Sequence, residues 1–507
     1  MTKIRSLVVF KTLKIHALVI EPKRVKATYT ITKQDDSEVQ NELIYSYNDV
    51  YFNKKNADDV NLASMMAVQV ALNYGLFFES IVFDGLFDAT DKRFLIDMME
   101  NTSREILVLK FFGKNEFLKP PFDSIEPETL ARYTASEVEF VNTQFSHLKL
   151  EKEKAITNKD AYAILSSGGK DSLLTYGLVK ELGEAHPVFI NESGRHWFTA
   201  VNAHNRFREI EPNTVKPWCN SDRIFNWMVK QMPFIKENFQ NIRADIYPIR
   251  LWTVSVFLFG VLPVARKRRI GNILIGNEYD TSVKSNYKGI THYNGLYDQS
   301  KYFDNALTRY YHKKGWDMYQ FSLLRSLSEL SILKILVKRY PDLQKLQVSC
   351  HAAHEENGTM LPCGNCEKCR RIVGMLKALD EDPKRCGYTD TQIEKALTAL
   401  SKQSVKQIGS DAAQLYYLLL SKGLIEHNEH TAKLAKEHKE ITMLRFDKER
   451  SNLMDIPKYL RKPLLEIYSK YTDGMVQMAN RKWQHYKPTM EHIEAPYFLH
   501  QDNEATI

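Results

Sequence analysis

The sequence is poor in cysteine and has no hydrophobic run of membrane-spanning length. It contains six cysteines in 507 residues, too few for a disulfide framework, and its N-terminal stretch lacks the small-residue cleavage site of a signal peptide. The longest apolar run, 251–265, contains Pro263 and is shorter than the roughly 20 residues that cross a bilayer. We therefore expect a cytoplasmic protein without a membrane contact, with reduced cysteines and with a buried helix at 251–265.

A large excess of one charge is also missing. Lysine and arginine number 70 against 62 aspartates and glutamates, a formal net charge of +8. This small excess fits an anionic small molecule as readily as nucleic acid. The one dense basic run, 266–269, follows the apolar helix, and its cations are predicted to cap the helix C-terminus, with an anion or nucleic-acid contact as the alternative. Nucleic acid is therefore not the partner we expect.

Prolines and changes of composition divide the chain into three regions. Residues 1–150 mix β-branched alternation with helical spacing, which predicts an N-terminal α+β domain that ends after the proline-rich segment 117–127. Residues 155–380 form the predicted core. Residues 385–507 contain apolar stripes between charged stretches, which predicts a helical C-terminal region. No repeat or low-complexity segment is found.

The predicted core alternates strands with helices. Strands are expected at 161–165, 186–190, 244–250 and 272–282, each separated from the next by a stretch long enough for a helix. The segment 322–343 has the spacing of one amphipathic helix. This alternation predicts an α/β fold with a doubly wound parallel sheet.

The most informative stretch is AYAILSSGGKDS, at 161–172. An apolar run stops at small residues, two glycines follow, and helical apolar spacing begins at Leu173. A strand, a tight loop and a helix N-terminus in this order present free backbone N–H groups and the positive end of the helix dipole to an anion. The glycines let the backbone approach a phosphate, while the lysine and serines add donors. The spacing is not that of a Walker A loop, and the alternative is an ordinary helix cap. The predicted phosphate-binding residues are Ser166, Ser167, Gly168, Gly169, Lys170, Asp171 and Ser172.

Four of the six cysteines lie between residues 350 and 369. Two of them form a Cys-x-x-Cys pair, a third lies three residues earlier and the fourth lies upstream. This spacing is typical of a tetrahedral thiolate site and predicts a structural Zn²⁺. His351 and His354 are alternative ligands for one position. The predicted metal ligands are Cys350, Cys363, Cys366 and Cys369.

Polar residues follow the second and fourth predicted strands, at the sheet edge where open α/β folds bind ligands. In NESGRHW, after the second strand, Glu192 and His196 are candidates for an acid and a base, and Arg195 for bidentate binding of a carboxylate or diphosphate. The alternative is a surface loop held by local ion pairs. Glu278 and Asp280, after the fourth strand, are candidates to bind ribose, metal or substrate.

These motifs together resemble the PP-loop ATP pyrophosphatases, which cleave ATP between the α- and β-phosphates. SSGGKDS is similar to their SGGxDS signature. The order LSSGGKDSLL, INESGRHW and PCGNCEKC resembles the bacterial UDP-N-acetylmuramoyl-L-alanyl-L-glutamate epimerases (MurL) over about residues 60–380. The cysteine motif also resembles the 7-cyano-7-deazaguanine synthases (QueC), in which the likeness covers only the core. The resemblance implies a PP-loop core with ATP, Mg²⁺ and Zn²⁺ as cofactors.

Both families imply the same first step, in which a substrate carboxylate attacks the α-phosphate of ATP and gives an acyl-adenylate and pyrophosphate. The loop amides, Lys170 and a magnesium ion held by Asp171 would stabilise the charge on the phosphate oxygens. In an epimerase the adenylate acidifies the neighbouring C–H, and Glu192 and His196 are the first residues to consider for moving the proton. In a synthase, ammonia attacks the adenylate instead.

The resemblance therefore predicts an enzyme with a small carboxylate substrate. We expect epimerisation of the terminal L-glutamate of UDP-MurNAc-L-Ala-L-Glu, a UDP-sugar peptide of peptidoglycan precursor synthesis. A synthase-like ligase that uses ammonia is the alternative. A binding protein that keeps the fold without turnover is a third possibility, against which the complete loop argues.

Overall fold

Strands and helices alternate over most of the chain in the computed structural model, which describes residues 3–151, 154–242, 247–407 and 409–497. The strands are β1 (Phe10–Glu21), β2 (Arg24–Lys33), β3 (Glu38–Ser46), β4 (Phe78–Asp84), β5 (Glu137–Val141), β6 (Asn158–Leu165), β7 (Glu184–Val188), β8 (Trp218–Cys219), β9 (Ile270–Leu274), β10 (Ser285–Tyr287), β11 (Ile290–His292), β12 (Tyr319–Phe321), β13 (His354–Glu356), β14 (Thr359–Leu361), β15 (Leu444–Phe446), β16 (Met475–Ala479) and β17 (Lys482–His485). The α-helices are α1 (Ala57–Val68), α2 (Ala89–Ile106), α3 (Lys170–Leu182), α4 (Arg195–Ile210), α5 (Ser221–Gln231), α6 (Val254–Lys267), α7 (Lys301–Lys313), α8 (Glu329–Arg339), α9 (Pro341–Gln344), α10 (Glu367–Ala378), α11 (Asp390–Leu400), α12 (Gly409–Ser421), α13 (Glu429–Leu434), α14 (Lys458–Tyr468) and α15 (Met490–Glu494).

The N-terminal region builds most of a mixed six-stranded sheet, in the order β5-β4-β1-β2-β3-β8. The first three strands pair antiparallel as successive hairpins, while β4 runs parallel to β1 and β5 parallel to β4. The sixth strand, β8, comes from the predicted core and pairs with Tyr45 and Ser46 of β3. The N-terminal sheet is thus completed by a segment that lies much later in the sequence.

A second sheet has four parallel strands in the order β12-β9-β6-β7. Side chains of β6 alternate between its faces, as the two-residue period of a strand requires. Ala161 and Ala163 pack into a core shared with α6 and the N-terminal sheet, whereas Tyr162 and Ile164 pack into a core shared with α3 and α8. Helices therefore cover both faces, as parallel sheets require. The prediction of an α/β fold with a parallel sheet is confirmed at this level.

Several predicted boundaries differ from the structure. For the predicted strand 244–250, residues 243–246 lie outside the described part of the chain, and residues 247–250 are not in a strand. The strand predicted at 272–282 is β9, which ends at Leu274. The remaining parallel strand is β12, whose three residues are too few to give a periodic signal.

The predicted helix at 322–343 is also too long. Helix α8 begins at Glu329, because Ser328 caps it by accepting a hydrogen bond from the N–H of Ser331. The C-terminal region contains the predicted helices, but it also contains a three-stranded sheet in the order β15-β16-β17. The prediction of a wholly helical region was therefore incomplete.

The longest apolar run forms a buried helix, as predicted. Residues 254–265 of the run form most of α6, whose central residues are buried, and residues 251–253 precede the helix. Across the described residues, no helix combines the length and apolarity needed to cross a membrane.

Asn73 fixes the entry to α6. Its Oδ1 accepts hydrogen bonds from the N–H groups of Leu251 and Trp252, both at 2.9 Å, and its Nδ2 donates to the Trp252 carbonyl at 3.0 Å. Asn73 is 1% exposed, so water cannot replace these bonds. One side chain therefore joins the N-terminal region to the helix that underlies both sheets.

We expect Asn73→Ala to lower the free energy of unfolding by about 3 kcal/mol, because it leaves buried backbone groups unpaired. Urea unfolding followed by tryptophan fluorescence measures the change, and hydrogen exchange of residues 249–256 locates it. Asn286→Ala is the control, since Asn286 is exposed and accepts one exposed hydrogen bond, from the Gly289 N–H, so its loss should change stability by less than about 0.5 kcal/mol. Equal effects of the two substitutions would contradict this assignment.

Candidate functional site

The loop 166–169 lies where the chain order of the parallel sheet reverses. It follows β6, which has β7 on one side and β9 on the other. In open α/β sheets, ligands bind in the crevice at such a reversal, beyond the carboxyl ends of the strands. Helix α3 begins at Lys170, and its N-cap, Gly169, has no side chain to satisfy the first N–H groups. The loop therefore has the position and polarity of an anion site.

Packing against α4 fixes the shape of this loop. Gly168 has a φ of +74°, and a Cβ there would lie 2.1 Å from the Thr199 carbonyl oxygen. The Thr199 hydroxyl lies 3.0 Å from the carbonyl oxygen of Ser167. Within the loop, the Ser172 hydroxyl donates to the Gly169 carbonyl at 3.1 Å and accepts from the Ser167 N–H at 3.3 Å. The first turns of α3 and α4 therefore hold the loop between them.

Lys170 is buried among carboxylates. Its Nζ lies 2.7 Å from Asp171 Oδ1, 3.4 Å from Glu329 Oε1 and 3.6 Å from Glu278 Oε2. Burial opposes its charge, but the three carboxylates outweigh burial and raise the pKa of Lys170 above its ordinary value. The ammonium group thus neutralises acidic neighbours behind the loop. The sequence alone had instead suggested that Lys170 directs its charge at a bound phosphate.

Two of the acidic neighbours of Lys170, Glu278 and Glu329, line a small cavity of about 10 Å³, which is room for one water molecule. Burial raises the pKa of Asp280 to about 6 and that of Glu278 well above its usual range. In the described part of the chain, Asp280 Oδ1 and Arg445 Nε have no hydrogen-bond partner. The cavity is lined by Glu278, Asp280, Leu327, Ser328, Glu329, Gln407, Asp411 and Arg445.

Glu192 is a buried carboxyl group with one free oxygen. It is 3% exposed, and the Ser221 hydroxyl donates to its Oε1 at 2.5 Å. Its Oε2 is buried and has no partner among the described residues. Burial raises the pKa of Glu192 to about 7. This group can therefore gain or lose a proton near neutral pH.

Arg250 faces the same cluster, and sequence reasoning missed it. Its guanidinium carbon lies 3.7 Å from the ring centre of Tyr247 and 4.7 Å from that of Phe225, and its Nη1 donates to Asp222 Oδ1 at 2.9 Å. Nε and Nη2 are buried without a hydrogen-bond partner in the described part of the chain. This edge of a guanidinium is the one that binds a carboxylate bidentately. A lone arginine in no motif gave no sequence signal.

His196 connects this cluster to the loop. Its Nε2 is hydrogen-bonded to the Tyr247 hydroxyl, and its ring centre lies 4.5 Å from that of His351. Burial, with the cation of Arg250, lowers the pKa of His196, so the ring is neutral at pH 7. The Thr199 hydroxyl lies 2.8 Å from the His196 carbonyl and also contacts the loop. Helix α4 begins at the predicted residue Arg195, whose side chain lies outside the described part of the structure.

The structure thus divides the predicted residues into two groups. Glu192 and His196 come together with Arg250 at the start of α4. Glu278 and Asp280 instead line the acidic cavity, and Lys170 lies against Glu278 and Glu329 of its lining.

The four predicted metal ligands come together. Their sulfur atoms all lie within 4.8 Å of one another, and the closest pairs are 3.5, 3.6 and 3.8 Å apart. Tetrahedral coordination with Zn–S bonds of about 2.3 Å places sulfurs about 3.8 Å apart, so the cluster fits Zn²⁺. Gly364, with a φ of +73°, makes the turn between the ligands, and α10 follows Cys366 directly. The prediction that these cysteines could bind a metal is confirmed.

The described residues do not form a magnesium site from protein groups alone. In the described residues, the cysteines are the one set that brings three or more potential ligands this close. Magnesium commonly binds through one or two carboxylates together with substrate phosphates and water. Asp171, in the first turn of α3, could serve as such a carboxylate.

The chain matches none of the protein-family models, and no curated protein matches it at a significant level. The family resemblance therefore depends on the motifs and on their placement in the fold.

We expect Gly168→Ala to lower the free energy of unfolding by about 2–4 kcal/mol, because a Cβ would overlap the Thr199 carbonyl and the backbone is left-handed there. Gly169→Ala is the matched control, since its φ is −82° and its Cβ would meet the Ser167 hydroxyl at an ordinary 3.6 Å. Thermal unfolding of both variants measures the difference. Equal stability of the two would show that α4 does not fix the loop.

We expect the purified protein to contain about one zinc per chain and Cys366→Ser to lose most of it, because a three-thiolate site binds zinc more weakly. Cys386→Ser is the control, since Cys386 is buried outside the cluster and should retain the metal. Atomic absorption and thiol titration measure both quantities. Zinc-free wild-type protein with four reactive thiols would refute the metal site.

Proposed function

We propose that this protein is a PP-loop enzyme that activates a substrate carboxylate with ATP and inverts the neighbouring carbon. The proposed substrate is UDP-MurNAc-L-Ala-L-Glu, whose terminal L-glutamate would become D-glutamate. One observation carries this proposal. The SSGGKDS loop lies at the reversal of a parallel sheet, and α4 joins it to a buried carboxyl group and a buried guanidinium, both with free polar atoms.

The loop supports the first step. Backbone N–H groups at the start of α3 would bind the phosphates of ATP, and Asp171 would hold a magnesium ion that balances their charge. The substrate carboxylate oxygen bonds to the α-phosphorus as the bond to the β-phosphate oxygen breaks. The products are an acyl-adenylate and pyrophosphate.

The Glu192 cluster supports the second step. A free carboxylate is a poor electron sink, and its conversion to an adenylate makes the adjacent C–H more acidic. Glu192, with a pKa of about 7, fits a group that removes or returns this proton at neutral pH. His196 is the second proton-exchanging group of the cluster. Water then attacks the acyl carbon, and AMP leaves.

Arg250 supports the choice of substrate. Its free Nε and Nη2 edge suits a carboxylate that is not itself activated. A terminal glutamate has two carboxylates, so one can be adenylated while Arg250 holds the other. Two aromatic rings lie against the guanidinium and orient it for this contact.

The alternative is a synthase-like ligase in which ammonia attacks the adenylate. The four-cysteine cluster resembles that family equally well, so it does not separate the two functions. The buried Glu192 favours the epimerase, because a residue that exchanges protons with carbon has no counterpart in simple attack by ammonia.

The direct test is to incubate the protein with ATP, magnesium and UDP-MurNAc-L-Ala-L-Glu, and then to measure AMP and the chirality of the glutamate. AMP together with D-glutamate would support the proposal. AMP formed only with a deazaguanine carboxylate and ammonia would establish the ligase. No AMP with either substrate would overturn both.

We expect the rate of inversion to rise with pH through about 7, because Glu192 must lose its proton to act as a base and burial has raised its pKa to that value. Glu192→Gln should abolish inversion. Glu209→Gln is the control, since Glu209 is an exposed residue of α4 and the variant should keep the wild-type pH profile. A wild-type rate that does not change between pH 5.5 and about 8.5 would exclude Glu192 as the base.

A further inference from the structure

A cavity of about 440 Å³ opens at the end of the parallel sheet opposite the SSGGKDS loop. Thr157, Arg269 and Met318 lie on its wall, and each directly precedes a parallel strand. Its volume falls within the range of small-molecule sites. The lining is Tyr51, Asp59, Leu62, Lys154, Ala155, Ile156, Thr157, Pro263, Arg266, Lys267, Arg269, Trp316 and Met318.

The basic run 266–269, at the C-terminal end of α6, supplies most of the cavity's charge. Arg266 binds Asp58, with Nη2 3.2 Å from its Oδ2, and lies over the Trp316 ring at 4.5 Å. Arg268 donates to the Asn213 carbonyl at 2.7 Å. These two side chains therefore bind Asp58 and Asn213 and not the C-terminal carbonyls of α6. Arg266 and Lys267 nevertheless lie in the last turn of α6, where the sequence had predicted cations that balance the helix dipole.

Three cations of the lining remain without an ion partner. Lys154, Lys267 and Arg269 are exposed, and no hydrogen bond or ion pair joins their side chains to another described residue. Among the described residues of the lining, Asp59 is the one carboxyl group, and burial raises its pKa. The cavity therefore has an excess of positive charge that the protein leaves unbalanced, which favours an anionic ligand.

The rest of the lining is apolar and aromatic. Leu62, Pro263, Trp316 and Met318 are buried and form part of the wall. A bare ion would leave this surface in contact with water, whereas a ligand with an organic body would cover it. The lining therefore suits a molecule that has both a strongly anionic group and a hydrophobic or planar part.

We propose that this cavity binds a phosphate-bearing small molecule of about nucleotide size. Lys154, Lys267 and Arg269 bind the phosphate, and the apolar wall contacts the body of the ligand. The site is separate from the SSGGKDS loop, because the cavity lies at one end of the parallel strands and the loop lies at the other end. It also joins three parts of the chain, since Tyr51 and Asp59 belong to the N-terminal region and Lys154 to the segment that leads into β6.

Pyridoxal 5′-phosphate is a suitable probe, because its phosphate binds in such a site and its aldehyde forms an imine with a nearby lysine, which borohydride then reduces. Peptide mapping of the full chain measures the rate at each lysine. We expect Lys154 and Lys267 to react at least about tenfold faster than Lys395, an exposed lysine on α11, and inorganic pyrophosphate to protect them.

Substitutions test the site further. Arg269→Gln should slow labelling of Lys267 about tenfold, because it removes a charged contact to the phosphate. Asp171→Asn should leave labelling unchanged, since it alters only the loop at the other end of the sheet. Labelling no faster than at Lys395, or no protection by pyrophosphate, would overturn the proposal. Tight, salt-sensitive binding of an RNA oligonucleotide that Arg269→Gln abolishes would assign the surface to nucleic acid instead.

Discussion

The contact between Gly168 and the Thr199 carbonyl determines where the groups of the candidate site lie. Because no Cβ separates them, the loop after β6 rests directly on the first turn of α4. That turn also carries His196, and Glu192 lies just before it. The proposed anion-binding loop and the proposed proton-exchanging cluster are thereby connected through α4. Movement of α4 relative to the loop would break the contact between Gly168 and Thr199.

Burial of charge is the second constraint on the site. Lys170 pairs with Asp171, Glu278 and Glu329, which is costly to assemble but neutralises part of the acidic charge behind the loop. Among the described residues, Glu192 and Arg250 keep polar atoms without hydrogen-bond partners, as do Glu278, Asp280 and Arg445 at the acidic cavity. Buried polar groups normally find hydrogen bonds, so those that do not are the places where a ligand is expected.

Local patterns predicted the local parts of this site. The strand–loop–helix order placed β6, the glycine loop and α3 correctly, and cysteine spacing alone identified a cluster that the structure brings together. The prediction failed where partners come from distant segments. Nothing near Lys170 in the sequence indicates that Glu278 and Glu329 will surround it, and Arg250 stands in no motif. The short strands β8 and β12 have too few residues to show a periodic pattern, and Ser328 caps α8 so that the helix begins later than apolar spacing had predicted.

The late position of β8 has a consequence for synthesis of the chain. Strand β3 lies beside β8 at Tyr45 and Ser46, so a nascent chain has an open sheet edge there until Cys219 has left the ribosome. Open edges can pair with other chains. Along the part of β3 that β8 never covers, Glu38, Gln40, Asn41 and Glu42 supply the polar side chains that discourage such pairing. The end of β3 that lacks these polar side chains, where Ile44 and Tyr45 lie, is the end that β8 later covers. This end of the edge is therefore open to other chains only until the core begins to form.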